Sequence, residues 1–160
     1  MGALEDIEAI RQLKYRYLRA VDLKLWDLLA DTFAPDATCA YDGGKNSHRG
    51  RDAIVGWLRS NLDSTIITLH QAHHPEIELL DADRARGTWY LEDRVINPGP
   101  DLPDMPGNTL LLGAAFYADE YVRLGGEWKI AHTGYERTYM EVRPYETPTH
   151  LYSRWEQRAR

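Results

Sequence analysis

The spacing of apolar residues over the first 32 positions predicts two helices. From residue 4 to residue 21 they recur at steps of three and four with charges between them, which is the pattern of an amphipathic helix. Tyr17 lies on the apolar side, so its hydroxyl should find a partner in a polar core network or a cavity. A second helix is predicted over residues 23–32. Asp22 is a candidate N-cap for it.

After Pro35 the pattern becomes that of strands, because the residue before a proline disfavours the helical backbone. A loop over residues 42–47 and a short helix over residues 53–60 interrupt the strands. Gly125 and Gly126 are predicted to form a hairpin turn. The small residues 113–115 leave room for a ligand or for close backbone approach. Strands are predicted over residues 38–41, up to residue 70, and over residues 76–80, 85–96, 109–124 and 127–142.

Two segments outside the regular elements are candidate covers of the domain. Residues 97–108 hold four of the eight prolines, and we interpret this long loop as a lid or an oligomer contact. The tail, residues 143–160, contains Pro148 at a suitable first helical position. A short helix over residues 147–155 is therefore predicted, which could cover one end of the sheet and its cavity.

A β-branched run leads into His70, the first of three histidines within five residues. Apolar residues on both sides of the pleat predict a strand covered on both faces, with His70 at its end and at the rim of the core. His70 is therefore the candidate catalytic base, and the alternative is a hydrogen-bonded core histidine. His73 and His74 could suggest zinc, but the pleat makes the three side chains diverge, so no metal is expected.

Strict alternation over residues 85–95 places Asp93 as the one acid on an apolar strand face. A carboxyl in such a place is costly without a purpose, which makes Asp93 a candidate general acid. The alternative is an acid at a strand end that pairs with a nearby arginine. His132 shares its face with Trp128 and Ile130, which favours a core or cavity-wall histidine.

Composition narrows the class of protein. A chain of 160 residues with 43% hydrophobic and 28% charged residues is typical of one soluble domain, here expected over residues 1–160 with its core at about 4–142. The formal charge of -6 argues against nucleic acid and anionic membranes as partners. Cys39 has no second cysteine to pair with, and no secretory or membrane-spanning run follows Met1, so we expect a cytoplasmic protein. A buried structural thiol is favoured for Cys39 over a nucleophile.

The aromatic residues suit a site for a hydrophobic cyclic small molecule, polycyclic or aromatic, and the alternative is that they are strand and core residues. Ten tyrosines and five tryptophans against two phenylalanines suit cavity walls that are apolar but carry hydrogen-bonding groups. The glycine-rich nucleotide loops, the zinc-protease motif and the serine-hydrolase elbow are missing from the sequence.

Five stretches of the chain carry a resemblance to a known family. The chain resembles the SnoaL-like branch of the nuclear-transport-factor-2-like superfamily, which contains scytalone dehydratase and the bile-acid 7α-dehydratases. The resemblance implies an α+β fold, a cone-shaped barrel in which a curved mixed sheet wraps around an N-terminal helix and encloses a pocket. The stretches are residues 7–14, 22–26, 33–37, 69–77 and 132–138.

The resemblance also implies site residues. The bile-acid dehydratases use a tyrosine, an aspartate five residues later, a strand histidine and a second aspartate. The chain departs from scytalone dehydratase at Val21, where that enzyme has a tyrosine, and its second catalytic histidine has no match here. The positions that match the bile-acid enzymes are Tyr17, Asp22, His70 and Asp93. Substrate contacts are expected from Trp89, Tyr117, His132 and Tyr135.

The function implied is a cofactor-independent dehydratase that acts on a hydroxylated cyclic ketone of steroid, bile-acid or polyketide type. His70 would remove a proton while Asp22 orients it, and Tyr17 or Asp93 would stabilise the enolate or protonate the leaving hydroxyl. The alternatives on this fold are a ketosteroid-type isomerase or cyclase, and a non-catalytic binding or accessory protein. The resemblance further implies a homo-oligomer, a trimer rather than a dimer.

Overall fold

Three helices precede or interrupt a six-stranded sheet in the computed structural model, which describes residues 2–102, 106–146, 148 and 150–154. The helices are α1 (Ala3–Leu23), α2 (Trp26–Thr32) and α3 (Arg51–Asn61). The strands are β1 (Phe33–Tyr41), β2 (Asn46–Arg49), β3 (Ile67–Leu79), β4 (Arg84–Asn97), β5 (Thr109–Leu124) and β6 (Glu127–Pro144).

The sheet has the strand order β2-β1-β6-β5-β4-β3, and its ends do not pair with each other. All neighbouring strands are antiparallel except β1 and β6, which run parallel. Register shifts interrupt three of the strand pairs, and such bulges bend a sheet and increase its twist. Helix α1 packs against β3, β6 and α2. The structure thus confirms the predicted cone-shaped α+β fold.

The core lies between α1 and the inner face of the sheet. Strand β4 alternates between exposed and buried residues along most of its length, as the sequence predicts. Trp89 and Leu91 contribute its largest fully buried side chains, and Ile10 and Leu13 of α1 are buried opposite the sheet. Because the inner face carries nearly all the apolar burial, any polar group found there has a specific partner or borders a cavity.

The first helix extends farther than its hydrophobic pattern predicts. It ends only at Leu23, and Lys24 closes it in the left-handed conformation with φ 57°. Asp22 therefore lies in the last turn of α1, and Leu25 occupies the N-cap position of α2. The interpretation of Asp22 as an N-cap is wrong, and its carboxylate is free to engage the sheet.

Strand β3 is continuous where two strands were predicted. A register shift between His73 and Glu76, with His74 at φ 39°, accommodates Pro75 within the strand. His70 is consequently an interior residue of the strand and not its last. The prediction that both faces are covered is also wrong, because Leu69, on the outer face of β3, is 47% exposed.

Strand β1 also begins earlier than predicted, at Phe33, and includes Pro35. Its register with β6 shifts between Phe33 and Thr38, and its pairing with β2 begins only at Thr38, so the proline does not interrupt a ladder on either side. The predicted hairpin at Gly125 and Gly126 is confirmed, with φ 59° and 88° at the two glycines.

The long loop after β4 is organised by Asn97, which is buried. Its side-chain Nδ2 donates to the carbonyl oxygens of Pro100 and Pro106, both at 3.0 Å. In the tail, residue 148 and residues 150–154 are not helical, and Thr147, Thr149 and Trp155 of the predicted helix lie outside the described residues. Within the described chain, none of the helices is both long and apolar enough to cross a membrane.

Candidate active site

A cavity of about 300 Å³ opens between α1, α3 and the inner face of the sheet. Its size is at the lower end of the range typical of small-molecule sites. The apolar lining comes mainly from both helices and from β5 and β6. It comprises Leu18, Val21, Trp57, Leu58, Leu62, Val95, Pro106, Leu111, Met140 and Val142. The polar lining comprises Tyr17, Tyr41, Asp42, Asn46, Asn61, His70, Asp93, Thr109, Tyr117, Tyr135 and Arg137.

His70 lines this cavity, and Asp22, which is not among the lining residues, is its hydrogen-bond partner. The imidazole Nδ1 lies 2.7 Å from Asp22 Oδ1, and the two side chains are only 11% and 18% exposed. Since an ionised carboxylate only accepts hydrogen bonds, Nδ1 carries the proton and donates it. Nε2 is then the nitrogen with the free lone pair, and His70 is held in the tautomer that a base requires.

Asp22 accepts hydrogen bonds through both carboxylate oxygens. Oδ1 accepts from the Thr68 hydroxyl at 2.8 Å as well as from His70, and Oδ2 accepts from the backbone N–H of His70 at 3.0 Å. Burial opposes ionisation of the carboxyl, but the hydrogen bonds and charge of His70, with the bond from Thr68, outweigh it and lower the pKa of Asp22. Asp22 is therefore the ionised orienting group of the pair.

Asp93 lines the same cavity, but it is not a free acid. Arg137 Nη1 and Nη2 donate to its two carboxylate oxygens, each at 2.8 Å. Burial disfavours the guanidinium charge, yet the hydrogen bonds to Asp93 more than offset this and raise the pKa of Arg137. Both carboxylate oxygens of Asp93 are therefore engaged by the guanidinium. The structure places Asp93 in the arrangement of the alternative, an acid paired with an arginine, and its role as a general acid stays a prediction.

Sequence reasoning did not predict Arg137, although it lies in the stretch 132–138 that carries the family resemblance. Its guanidinium sits over the Tyr135 ring, 5.1 Å from the centroid, and borders the cavity. Gly113, opposite Asp93 on β5, makes room for the ion pair, because a Cβ there would clash with Arg137 Nη1 and with Asp93 Oδ1. The predicted space at residues 113–115 is thus occupied at Gly113 by a side-chain pair.

Four tyrosines form a continuous part of the cavity wall. The hydroxyl oxygens of Tyr17 and Tyr41 lie 2.9 Å apart, so one donates to the other. Burial raises the pKa of Tyr17, Tyr41 and Tyr117 well above the usual value, and it raises that of Tyr135 to about 12. All four phenols are therefore neutral donors at neutral pH. Tyr17, Tyr117 and Tyr135 are placed on the cavity as predicted.

A buried ion pair lies behind this wall. Lys14 Nζ donates to Asp119 Oδ2 at 2.7 Å, and neither side chain is accessible to solvent. The Tyr121 hydroxyl and the Thr133 hydroxyl donate to the same carboxylate at 2.8 and 2.7 Å. The ammonium group of Lys14 rests 3.4 Å from the centroid of the Tyr117 ring. The pair anchors α1 to β5 and was not predicted from the sequence.

Trp89 and His132 do not line the cavity, so the expectation that both contact substrate there is corrected. Trp89 is fully buried in the core, where its Nε1 donates to the Tyr121 hydroxyl at 2.8 Å. His132 lies beside β1 with its Nδ1 2.7 Å from Thr38 Oγ1, and it borders shallow depressions away from the cavity. Alternation along a strand indicates a face but does not distinguish the core from the cavity.

The remaining candidate groups lie away from the cavity or are unreactive. His73 Nε2 is 3.9 Å from a carboxylate oxygen of Glu92. Within the described residues there is no cluster of three or more histidine, cysteine, aspartate or glutamate side chains arranged to hold a metal. Cys39 is buried, and burial raises the pKa of its thiol to about 11, which agrees with a structural role.

The comparisons with known proteins agree with this architecture. Three solved structures share the fold at 20–23% sequence identity. A type 2 hexachlorocyclohexane dehydrochlorinase (LinA) has a TM-score of 0.77 and 23% identity, covering 92% of this chain and 97% of that one. The type 3 enzyme from Novosphingobium barchaimii has a TM-score of 0.75 and 22% identity, covering 91% of this chain and 96% of that one. A scytalone dehydratase candidate from Novosphingobium aromaticivorans has a TM-score of 0.69 and 20% identity, covering 93% of this chain and 97% of that one.

The sequence profile described as a SnoaL-like domain matches residues 2–134, most of the chain. This match shows that the chain belongs to the SnoaL-like family.

Proposed function

We propose that the protein is a cofactor-independent lyase that eliminates water from a hydroxylated cyclic ketone of steroid, bile-acid or polyketide type. The observation that carries the proposal is that His70, at the wall of a largely apolar cavity, is hydrogen-bonded to Asp22 behind it. A base of this kind is oriented by the carboxylate and has one free nitrogen. Binding alone does not require such an arrangement.

The chemistry begins with removal of a proton from the carbon next to the carbonyl group. Nε2 of His70 takes the proton, and Asp22 stabilises the imidazolium that forms. The electron pair of the broken C–H bond moves toward the carbonyl oxygen and gives an enolate. Arg137 and the neutral Tyr17 phenol are the donors in the cavity lining that are available to that oxygen.

The second half of the reaction expels the hydroxyl group. The enolate electron pair re-forms the carbonyl and creates the new C=C bond while the C–O bond breaks, and a proton converts the leaving group to water. Tyr17 or the imidazolium of His70 supplies that proton. Asp93 does not, because both of its oxygens accept from Arg137 and hold that guanidinium at the cavity.

Two further observations support an elimination. The name hexachlorocyclohexane dehydrochlorinase describes a structural neighbour that eliminates hydrogen chloride from a six-membered ring. The cavity wall here combines tyrosine and tryptophan rings with aliphatic side chains, which suits a hydrophobic ring system that carries a few oxygens. Water is the leaving group we favour, because the phenol and guanidinium donors suit an oxygen substrate.

The test is a panel of β-hydroxy cyclic ketones of increasing ring number, each incubated with the protein and analysed by mass spectrometry. We expect at least one to lose a single water and to gain the ultraviolet absorbance of an enone. The His70→Ala variant should abolish this, whereas His73→Ala, on the same strand but outside the cavity, should keep it.

Other outcomes of the same experiment have definite meanings. A product of unchanged mass with a shifted double bond would replace the dehydratase proposal with an isomerase. Saturable binding without any product across the panel, together with no effect of His70→Ala on affinity, would indicate a binding protein.

A further inference from the structure

The carboxylate of Asp22 is bonded to more than His70. Thr68 lies on the same face of β3 as His70, two residues earlier, and its hydroxyl donates to Asp22 Oδ1. This is the oxygen that also accepts from His70 Nδ1. A hydroxyl has one proton to donate, so the proton of Thr68 is committed to the carboxylate and its oxygen is left as an acceptor.

Lys24 occupies that acceptor position. Its Nζ donates to Thr68 Oγ1 at 3.1 Å, which completes a chain from the ammonium group through the hydroxyl and the carboxylate to the imidazole. Hydrogen bonds in such a chain polarise one another, and a charged donor strengthens the next bond. The positive charge of Lys24 is thereby transmitted to the oxygen that faces His70.

The backbone of Lys24 gives independent support. Lys24 ends α1 in the left-handed region at φ 57° and ψ 38°, where glycine is the least strained residue. The turn itself therefore gives no reason for a lysine. Strained backbone positions of this kind concentrate at functional sites, where a particular side chain is needed.

We propose that Thr68 and Lys24 are positioning residues that withdraw negative charge from Asp22, so that Asp22 orients His70 without holding its proton too firmly. A carboxylate with no other donors would stabilise the imidazolium strongly and keep the histidine protonated at neutral pH. Shared with the Thr68 hydroxyl and the Lys24 charge, the same carboxylate still fixes the tautomer and leaves Nε2 free as a base. The catalytic part of this inference rests on the proposed function; the electrostatic part does not.

Other charged groups also lie near Lys24. Asp22 on α1 and Asp63 in the loop after α3 act on it as opposite charges, Arg59 of α3 borders the same surface depression, and His70 lies at the far end of the chain. Burial lowers the pKa of Lys24 to about 8, with Asp22 and Asp63 opposing the shift. Lys24 is therefore still charged in the range near pH 6.5 in which a histidine ordinarily titrates.

The test is a titration of the imidazole nitrogens of His70 by nuclear magnetic resonance in the full-length protein without any ligand. His70→Gln identifies the signal. Thr68→Val removes the hydroxyl at nearly constant shape, and Lys24→Gly removes the ammonium group while relieving the left-handed strain. In each, the titration midpoint of His70 should move upward by roughly half a pH unit or more. Thr68→Ser keeps the donor and should restore the wild-type midpoint.

Thr88→Val is the matched control, because Thr88 is an exposed threonine on the neighbouring strand β4. It should leave the midpoint unchanged. A purely structural tie between α1 and β3 would lower the melting temperature of Thr68→Val without moving the midpoint, and that result would overturn the proposal. An unchanged His70 midpoint in Lys24→Gly would also overturn the proposal. If Thr68→Val does not fold, the Lys24→Gly titration alone tests the proposal.

Activity gives a second readout once a substrate is known. The upward shift should reduce kcat more at pH 6 than at pH 8 in both variants, with little change in KM, because a larger fraction of His70 is protonated at the lower pH. If no substrate is turned over, the proposed function fails while the titration result stands by itself.

Discussion

Arg137 and Asp93 face each other across 44 positions of sequence and are joined by two hydrogen bonds of 2.8 Å. Both side chains are almost inaccessible to solvent. Removing one partner leaves an uncompensated buried charge, which typically costs about 3–5 kcal/mol of unfolding free energy. We therefore expect Arg137→Met and Asp93→Asn each to be strongly destabilising and the double variant to be much less so than their sum.

Urea unfolding of the wild type, the two single variants and the double variant gives the four unfolding free energies of this double-mutant cycle. Arg84→Met, which breaks an exposed pair with Asp81, is the control and should cost less than about 1 kcal/mol. Additive effects of the two single substitutions would show that the pair is not an energetic unit.

Asp22→Asn tests the orienting role of the carboxylate. The change preserves shape but removes the charge that stabilises the imidazolium, so kcat should fall on the order of a thousandfold or more. Because the substituted amide would have one acceptor oxygen for three donors, we also expect a loss of about 1–2 kcal/mol in stability. Steady-state kinetics and thermal unfolding measure the two effects.

The control for this substitution is Asp27→Asn, which changes an exposed acid in α2. It should change neither kcat nor the stability of the protein. Asp22→Asn combined with His70→Ala should be no slower than His70→Ala alone, since both disable one base. An Asp22→Asn protein that keeps most of its kcat would contradict the pairing as a catalytic device.

Gly113→Ala tests whether the ion pair needs its glycine. The new Cβ would clash with the guanidinium of Arg137, which must then move from its position at the cavity. A displacement of about 1 Å at a reacting group can cost roughly a hundredfold in rate, and we expect an effect of that size on kcat.

The matched control for this change is Gly56→Ala in α3, where an added Cβ meets nothing within 4 Å. That substitution should stabilise the protein by about 0.5–1 kcal/mol, because alanine favours a helix over glycine. Equal activity of the two variants would show that the position of Arg137 is unimportant.

The lowered pKa of Lys24 predicts a pH dependence of stability with a definite sign. Between about pH 8 and 10.5 the unfolded chain binds this proton and the folded chain does not. Stability therefore rises with pH in this window, as the cost of holding a charged Lys24 disappears. Relative to Lys24→Met, the wild type should become more stable as the pH is raised from 8 to 10.5.

The difference between the two proteins in chemical denaturation isolates Lys24 from the tyrosines that titrate in the same range. Lys45→Met, which changes a far more exposed lysine, should give no such difference. If the stability difference between the wild type and Lys24→Met did not change with pH, the charge of Lys24 would not be desolvated in the folded protein.

The outer face of the sheet predicts self-association. Leu69, Tyr90, Phe116 and Tyr139 are exposed there, and the rings of Tyr90 and Phe116 stack with centroids 4.8 Å apart. An apolar patch of this kind is rarely left bare on a monomer, and we propose a trimer. Light scattering at micromolar concentration should report three chains for the wild type and fewer for Phe116→Glu.

Leu124→Glu, at the far end of the same strand, is the control and should not change the mass. A monomeric wild type would contradict the proposal, and a stable dimer would replace the trimer.

Much of the fold could be predicted because apolar periodicity reports burial directly. The alternation around Asp93 and the helical spacing around Tyr17 both correspond to the observed inner face. Asp22 could not be assigned from local pattern, since an acid at the end of one helix and an acid that caps the next have the same neighbours. Its partners lie on β3, and only the docking of α1 against that strand brings them together.

The partner of Asp93 escaped prediction for a related reason. Alternation shows that the acid faces inward, but Arg137 reaches it from β6 across β5, through the space left by Gly113. The register shift at His74 also cannot be predicted from the alternation of apolar and polar residues, because it depends on how the chain accommodates Pro75 within a long strand. Charge partners and bulges belong to the tertiary structure and leave little trace in a single sequence.

The buried Lys14–Asp119 pair divides the cavity wall into a fixed side and an adaptable side. Because Lys14 is locked to the sheet beneath Tyr117, the α1 side cannot move outward without breaking a desolvated ion pair. Among the contacts described, no comparable ion pair binds Leu58 and Leu62 at the α3 side. Homologues with different substrates should therefore diverge at these two positions, while the tyrosine side of the wall keeps its geometry.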